Sequence, residues 1–126
     1  MKFMYFQTAA AIEGADATEE AILVPASALI AIEPKDASTA IMHFAGNGLG
    51  DADGATDVIS IQLDVLAAKF QEFCRQISLF VNASGTGGRW TKDGMLVVAS
   101  SESGATSYFH SSVTACNSIV IKTAAA

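Results

Sequence analysis

The feature that most constrains the fold is one stripe of large apolar side chains between residues 64 and 85. Five of them recur at spacings of four, three, four and three residues: Leu66, Phe70, Phe73, Ile77 and Phe80. This spacing places all five on one face of an α-helix. The sequence therefore predicts one amphipathic helix over residues 65–81, with Asp64 as its N-cap and Gly85 as its C-terminal cap.

The rest of the chain has the composition and alternation of short β-strands. Residues 27–33 are ambiguous, because their alternation favours a strand whereas Pro25 could open a helical turn; Pro34 is expected to end the segment. We therefore predict a mainly β domain with one helix, as a small bent sheet or partly open barrel. The predicted strands are residues 3–8, 21–24, 40–44, 58–63, 95–99, 106–110 and 118–123.

The length of the chain predicts one domain over residues 1–126. Its composition predicts more apolar side chains than one small domain can bury in its core. Hydrophobic residues make up 51% of the chain and charged residues only 16%, against about 25% charged in an ordinary globular domain. Either part of the apolar surface faces another subunit, or alanine is tolerated at the surface. We favour burial between subunits, because the charged fraction is so low.

The net charge of −6 and the pI of about 4.6 argue against a dedicated nucleic-acid binder. An acidic chain repels phosphate backbones at long range, so no DNA partner is expected. No run of 18 apolar residues is present, and no membrane partner is expected either.

No arrangement of reactive side chains predicts an active site. The strongest nucleophile or base candidates are Cys74, Cys116, His43 and His110. Nothing in their spacing brings a cysteine to a histidine with an orienting third group, and they lack the paired spacing of zinc sites. We therefore expect free, inert thiols, no catalytic, metal-binding or cofactor-binding residue, and no enzyme activity.

Two glycine-containing segments resemble ligand loops only superficially. Residues 51–57 are acidic, but the glycine stands fourth, and Gln62 occupies the twelfth position, where a calcium loop needs Glu. Residues 85–88 are glycine-rich but follow the predicted helix, whereas phosphate-binding loops precede one. We interpret them as an acidic turn and a hinge.

The segment Arg89-Trp90-Thr91-Lys92 is the one candidate contact surface in the sequence. It holds two of the seven basic residues and the only tryptophan. Arginine and tryptophan can stack on unpaired bases, and lysine can meet a phosphate. The alternative is a solvated hairpin with Trp90 packed as a lid or at a subunit contact. We therefore take Arg89, Trp90 and Lys92 as candidate contacts for weakly bound single-stranded RNA or another partner.

Several apolar segments together resemble small proteins of marine bacteriophages, especially cyanophages, and among them Sm-like proteins. The segments are residues 4–6, 23–29, 33–34, 39–44, 94–99, 115–116 and 119–121. The resemblance implies a strongly bent, SH3-type β-barrel capped by a helix, and homo-oligomeric rings of about five to seven subunits built by edge-strand pairing. It also implies a location in the host cytoplasm during infection or in the virion.

The implied function is that of a non-enzymatic, ring-forming Sm-like protein that acts on RNA. The alternative is a structural or decoration protein of the phage particle. The Arg-Gly pair of the Sm family is missing here, because Arg89 follows Gly88 and precedes Trp90. The helix also comes after several strands, whereas the helix of that family is N-terminal. The family's RNA contacts therefore transfer to no position of this chain.

Overall fold

The computed structural model describes residues 2–9, 20–46, 58–83, 93–101 and 106–122, which form two β-sheets and one long helix. The helix, α1, covers Phe70–Asn82, and a short 3₁₀ turn covers Ala26–Ala28. The strands are β1 (Phe3–Gln7), β2 (Ala21–Pro25), β3 (Leu29–Asp36), β4 (Thr39–Ala45), β5 (Val58–Val65), β6 (Met95–Ser100), β7 (Ser107–Tyr108) and β8 (Val113–Lys122).

Each sheet has four described strands. Sheet I has the order β2-β1-β6-β7; β1 and β6 run parallel, and the other neighbours are antiparallel. Sheet II has the order β3-β4-β5-β8 and is antiparallel throughout. The mainly β class with one helix is confirmed. The described strands do not close into a barrel, so the Sm-like barrel is not confirmed.

The core lies between the two sheets and takes one face of each. In β4 and β5, buried and half-exposed side chains alternate along the strands, as expected for a sheet with one face in the core. Phe6 of sheet I meets Phe44 of sheet II edge to face, with ring centroids 5.7 Å apart. Both rings are fully buried.

The apolar stripe of α1 packs against this core, as the sequence predicts, but the helix begins later than expected. Phe73, Ile77 and Phe80 are buried, whereas Leu66 precedes the helix and is exposed. Lys69 occupies the N-cap position without a side-chain cap. The predicted helix start at residue 65 and the Asp64 cap are therefore wrong.

Strand β5 extends through Asp64 because its period-two burial continues to Val65. Both residues pair with β8, and the Asp64 carboxylate accepts a hydrogen bond from Asn117 at 2.6 Å. A strand bonded on both sides outweighs a capping interaction, since it satisfies more backbone groups. Gly85, the predicted C-terminal cap, lies outside the described residues.

The ambiguous segment after Pro25 contains both predicted alternatives in succession. A single 3₁₀ turn follows Pro25, and β3 then begins at Leu29. The expectation that Pro34 ends this strand is wrong, because β3 continues to Asp36 with a register shift beside Pro34. An edge strand can hold proline, since the missing N–H faces away from its one neighbour.

The described part of the chain contains no helix long and apolar enough to cross a membrane.

The buried stripe of α1 predicts a large difference between its two faces. Phe73→Ala should lower the free energy of unfolding by about 3–5 kcal/mol, because it leaves a cavity in the core. Leu79→Ala, on the same helix but 45% exposed, should change it by less than about 1 kcal/mol. Urea denaturation of both variants measures the two values; equal losses would mean that the helix packs through another face.

The turn between β5 and α1 contains a left-handed alanine. Ala68 has a φ of 64°, and the Lys69 N–H donates to the Leu66 carbonyl at 3.0 Å. A positive φ at the third residue of such a turn is the type II pattern, which favours glycine. A β-carbon makes this conformation costly, so the turn carries backbone strain.

We expect Ala68→Gly to raise the free energy of unfolding by about 0.5 kcal/mol, since the relief of strain exceeds the entropy that glycine loses on folding. Ala67→Gly is the matched control and should lower it by about 0.5–1 kcal/mol, because that residue has a negative φ. Thermal unfolding of the two variants tests the assignment. A loss of stability in both would remove the argument for strain at Ala68.

Candidate functional site

The residues predicted to contact RNA or a partner, Arg89, Trp90 and Lys92, lie outside the described residues. The acidic turn 51–57 and the glycine-rich segment 85–88 also lie outside them. Their roles stay predictions. The remaining candidates, two cysteines and two histidines, are all described.

The two cysteines are free thiols in unreactive surroundings. Cys116 is buried on β8 and Cys74 is half-buried on α1. Burial raises the pKa of the Cys116 thiol to about 12 and also raises the pKa of Cys74. Since the thiolate is the nucleophile, both groups are almost wholly protonated near neutral pH.

His110 helps to form the turn between β7 and β8. Its Nδ1 accepts the Ser112 backbone N–H at 3.1 Å and lies 2.9 Å from the Ser112 hydroxyl. His110 lines an open cavity of about 230 Å³ together with Ser111, Ser112, Leu66 of the turn before α1, the N-cap residue Lys69 and Glu72 of α1. The hydrogen bonds of Nδ1 are local to the turn, so this ring atom has a structural role.

His43 lies on the face of sheet II that points away from the core, and it joins two other polar side chains. Its Nδ1 lies 3.0 Å from the Ser60 Oγ. Its Nε2 lies 2.8 Å from Glu33 Oε1. Three adjacent strands thus contribute one residue each to a continuous hydrogen-bonded chain, Glu33–His43–Ser60. We refer to it as the polar chain.

Strand register determines this arrangement. His43 and Ser60 are direct partners across β4 and β5, which pair without a register shift. Glu33 stands on the neighbouring strand, one row away, since Ala31 is the direct partner of His43 and Glu33 that of Ile41. Side chains two residues apart on a strand share a face, so the Glu33 carboxylate can reach the imidazole.

A shallow cavity adjoins the polar chain. It has a volume of about 190 Å³ and is lined by Ile41, His43, Ser60, Gln62, Ser118 and Val120. The Lys35 ammonium group donates to Gln62 Oε1 at 3.4 Å. Lysine is only a donor, so this contact assigns the Gln62 oxygen to the Lys35 side and leaves its amide N–H₂ as a potential donor to a ligand.

The polar chain contributes little to stability, because Glu33 is exposed and His43 is only partly covered. Its chemical capacity is that of a hydroxyl beside an oriented imidazole. Among the described residues, no group of three His, Cys, Asp or Glu side chains could hold a metal ion.

The sequence did not reveal this chain of contacts. The alternation of β4 places His43 away from Met42 and Phe44, and that of β5 does the same for Ser60. This pattern predicts on which face of the sheet His43 and Ser60 lie. It does not predict that they are partners, because that depends on the register of β4 against β5. The sequence between the two strands, residues 46–57, is too long to indicate the register as a two-residue hairpin turn would.

The edges of the two sheets form a second candidate surface. β3 is an unsuitable pairing edge, because it carries Pro34, Lys35 and two register shifts, all of which discourage pairing. β7 is only two residues long. One edge of each sheet is therefore poorly suited to accept another strand.

The opposite edges are β2 and the second half of β8, and within the described residues neither has a second strand partner. β2 is uncharged and pairs in straight register, and its Leu23 is 49% exposed. On β8, the Cys116 N–H already donates to Ser101 Oγ. From Ser118 onward β8 pairs regularly with β5, and Val120 is 38% exposed. These two segments are the open edges.

Comparison with known proteins adds no further assignment: no family model, no curated protein and no solved structure matches this chain.

Proposed function

We propose that this protein is a ring-forming phage protein with a structural role in the particle, and that its subunits join through the open edges β2 and β8. The observation that carries the proposal is an asymmetry of the described strands. Each sheet has one edge that is poorly suited to pairing, β3 or β7, which we call a blunt edge, and one open edge, β2 or β8. Unpaired N–H and C=O groups on an open edge can bond to a strand of another chain.

Two different open edges favour a head-to-tail contact. Pairing of β2 on one subunit with β8 on the next leaves a free β8 and a free β2 at the two ends of the assembly. Such a heterologous contact closes into a ring when the rotation between successive subunits permits it, and otherwise continues as a filament. The resemblance to Sm-like proteins, which assemble by edge-strand pairing, supports this arrangement and suggests about five to seven subunits.

The acidic composition supports a structural role over a role on RNA. A net charge of −6 per chain becomes larger with every subunit added, and like charge repels nucleic acid at long range. Detection of the chain in purified virions by mass spectrometry would support the structural assignment; its confinement to infected-cell extracts would favour the role on RNA.

We expect light scattering after size exclusion to give a mass of about five to seven chains, and single lysines on the open edges to lower it. Leu23→Lys on β2 and Val120→Lys on β8 each place a charge where pairing requires close approach. Ile30→Lys is the matched control, because Ile30 is 60% exposed on the blunt edge β3. It should leave the mass unchanged.

Three outcomes would contradict this proposal in different ways. A wild-type mass near that of one chain at all concentrations would exclude the ring. Sensitivity to only one of the two open-edge substitutions would indicate a two-fold dimer through that edge. Sensitivity to Ile30→Lys alone would place the interface on β3.

Binding of single-stranded RNA is the second candidate function, and the Arg89-Trp90-Thr91-Lys92 segment favours it. Ring symmetry would repeat this segment around the assembly, so that several weak contacts could act on one strand. Among the described basic side chains other than Lys122, three already contact protein groups, and only Lys69, at the N-cap of α1, has no such contact. Lys2 donates to the Val81 carbonyl, Lys35 contacts Gln62 and Arg75 lies beside Glu72.

We expect labelled oligouridine to bind only at low salt, and Arg89→Ala combined with Lys92→Ala to abolish this binding. The physical reason is that each phosphate contact releases counterions, so affinity falls steeply as salt rises. Fluorescence anisotropy at two salt concentrations measures it, with Lys69→Ala as the control for loss of positive charge elsewhere. Tight binding at physiological salt in the double variant would locate the RNA contacts on other residues.

A further inference from the structure

We propose that the polar chain Glu33–His43–Ser60 and its adjoining cavity form a hydrolytic site for small activated carboxylic esters, with Ser60 as the nucleophile. The inference goes beyond the proposed assembly function and does not depend on it. Three features support it: the two hydrogen bonds of His43, the cavity beside Ser60, and the hydrogen-bond donors of Gln62 and Ser118 that line this cavity.

The partners of His43 define which ring nitrogen carries the proton. The Glu33 carboxylate can only accept, so Nε2, at 2.8 Å from it, is the donor. In the neutral imidazole Nδ1 is then the acceptor, and the Ser60 hydroxyl donates to it at 3.0 Å. A nucleophile, a base and a group that orients the base are thus in hydrogen-bond order. The two ring nitrogens exchange the roles they have in chymotrypsin-type triads.

The backbone holds these groups on adjacent strands of one sheet rather than on loops. Direct pairing of His43 with Ser60 keeps their side chains within reach without any rearrangement. Sites on strands are held more precisely than sites on loops, which favours a preorganised arrangement. Glu33 touches neither the cavity nor Ser60 in this geometry, so it is a positioning residue.

The cavity has the chemistry that an uncharged acyl group needs. Ile41 and Val120 provide apolar walls, and Ser60 opens onto the same space. Gln62 and Ser118, cross-strand partners in the adjacent row, offer an amide N–H and a hydroxyl to the developing oxyanion. Side-chain donors of these kinds stabilise tetrahedral intermediates of acyl transfer. The volume of about 190 Å³ limits the substrate to a short acyl chain.

The reaction needs no component beyond the ester and water. Ser60 Oγ attacks the acyl carbon while His43 Nδ1 takes the hydroxyl proton, and the carbonyl electron pair moves to the oxygen. Collapse breaks the bond to the leaving alkoxide or phenoxide, which receives the proton from His43. Water then attacks the acyl-serine through the same base, releases the carboxylic acid and restores the Ser60 hydroxyl.

The test is hydrolysis of p-nitrophenyl acetate by the full chain, followed by intact-mass and peptide analysis. We expect turnover above background and an acetyl group, about 42 Da, on Ser60. Ser60→Ala and His43→Gln should each lower kcat/KM at least about tenfold. Glu33→Gln should lower kcat with little change in KM, because that carboxylate does not line the cavity. Gln62→Ala should lower kcat through the loss of an oxyanion donor.

Free imidazole also hydrolyses this ester, so His110→Gln serves as the matched control and should leave the rate unchanged. Two results together would overturn the proposal: an unchanged rate in Ser60→Ala, and no acetyl group on Ser60 of the wild-type protein. The polar chain would then have only the role of cross-strand pairing. Ser60→Cys keeps the size of the residue and should be acetylated at the same position. Failure of this variant to label in the folded protein, judged by circular dichroism, would count equally against the proposal.

Discussion

The contact between Phe6 and Phe44 is the interaction on which the rest of the structure depends. It joins sheet I to sheet II within the core, where both rings are fully buried. Once the inner face of β4 is committed to this core, its other side chains must point outwards. The position of His43 is therefore a consequence of the position of Phe44. The alternation of side chains along β4 therefore places Phe44 in the hydrophobic core and His43 in the polar chain.

The sequence predicted the elements better than their boundaries. The helix and most strands follow from periodicity, because burial imposes a period of 3.6 residues on a helix and of 2 on a strand. Between Leu63 and Leu66 the apolar positions fit both a strand and a helix, and the local pattern favours the helix. The pairing of Val65 with Val113, a contact between distant parts of the chain, decides for the strand.

The candidate site and the sheet order could not be predicted for the same physical reason. Glu33, His43 and Ser60 are brought together only by register, and a shift of one residue would turn His43 towards the core. Likewise, no local pattern indicates that β1 lies beside β6. The sequence offered His43 only as a candidate base without a partner, and the expectation that Pro34 ends its strand was wrong. Which edge is open depends on strand order. Such non-local pairing is invisible to a single sequence.

The parallel pairing of β1 with β6 has a consequence for biosynthesis. The first strand of the chain sits inside sheet I, between β2 and a strand that begins only at Met95. Sheet II is likewise completed by the last described strand, β8. During synthesis, β1 and β2 can pair as a hairpin and β3, β4 and β5 as a meander before β6 and β8 exist, and the contact of Phe6 with Phe44 can already join the two units. Completing the two sheets closes long loops, because β1 pairs with β6 and β5 pairs with β8, and such non-local pairing slows folding. Until these late strands pair, the unpaired edges of β1 and β5 are sites at which the folding chain can aggregate.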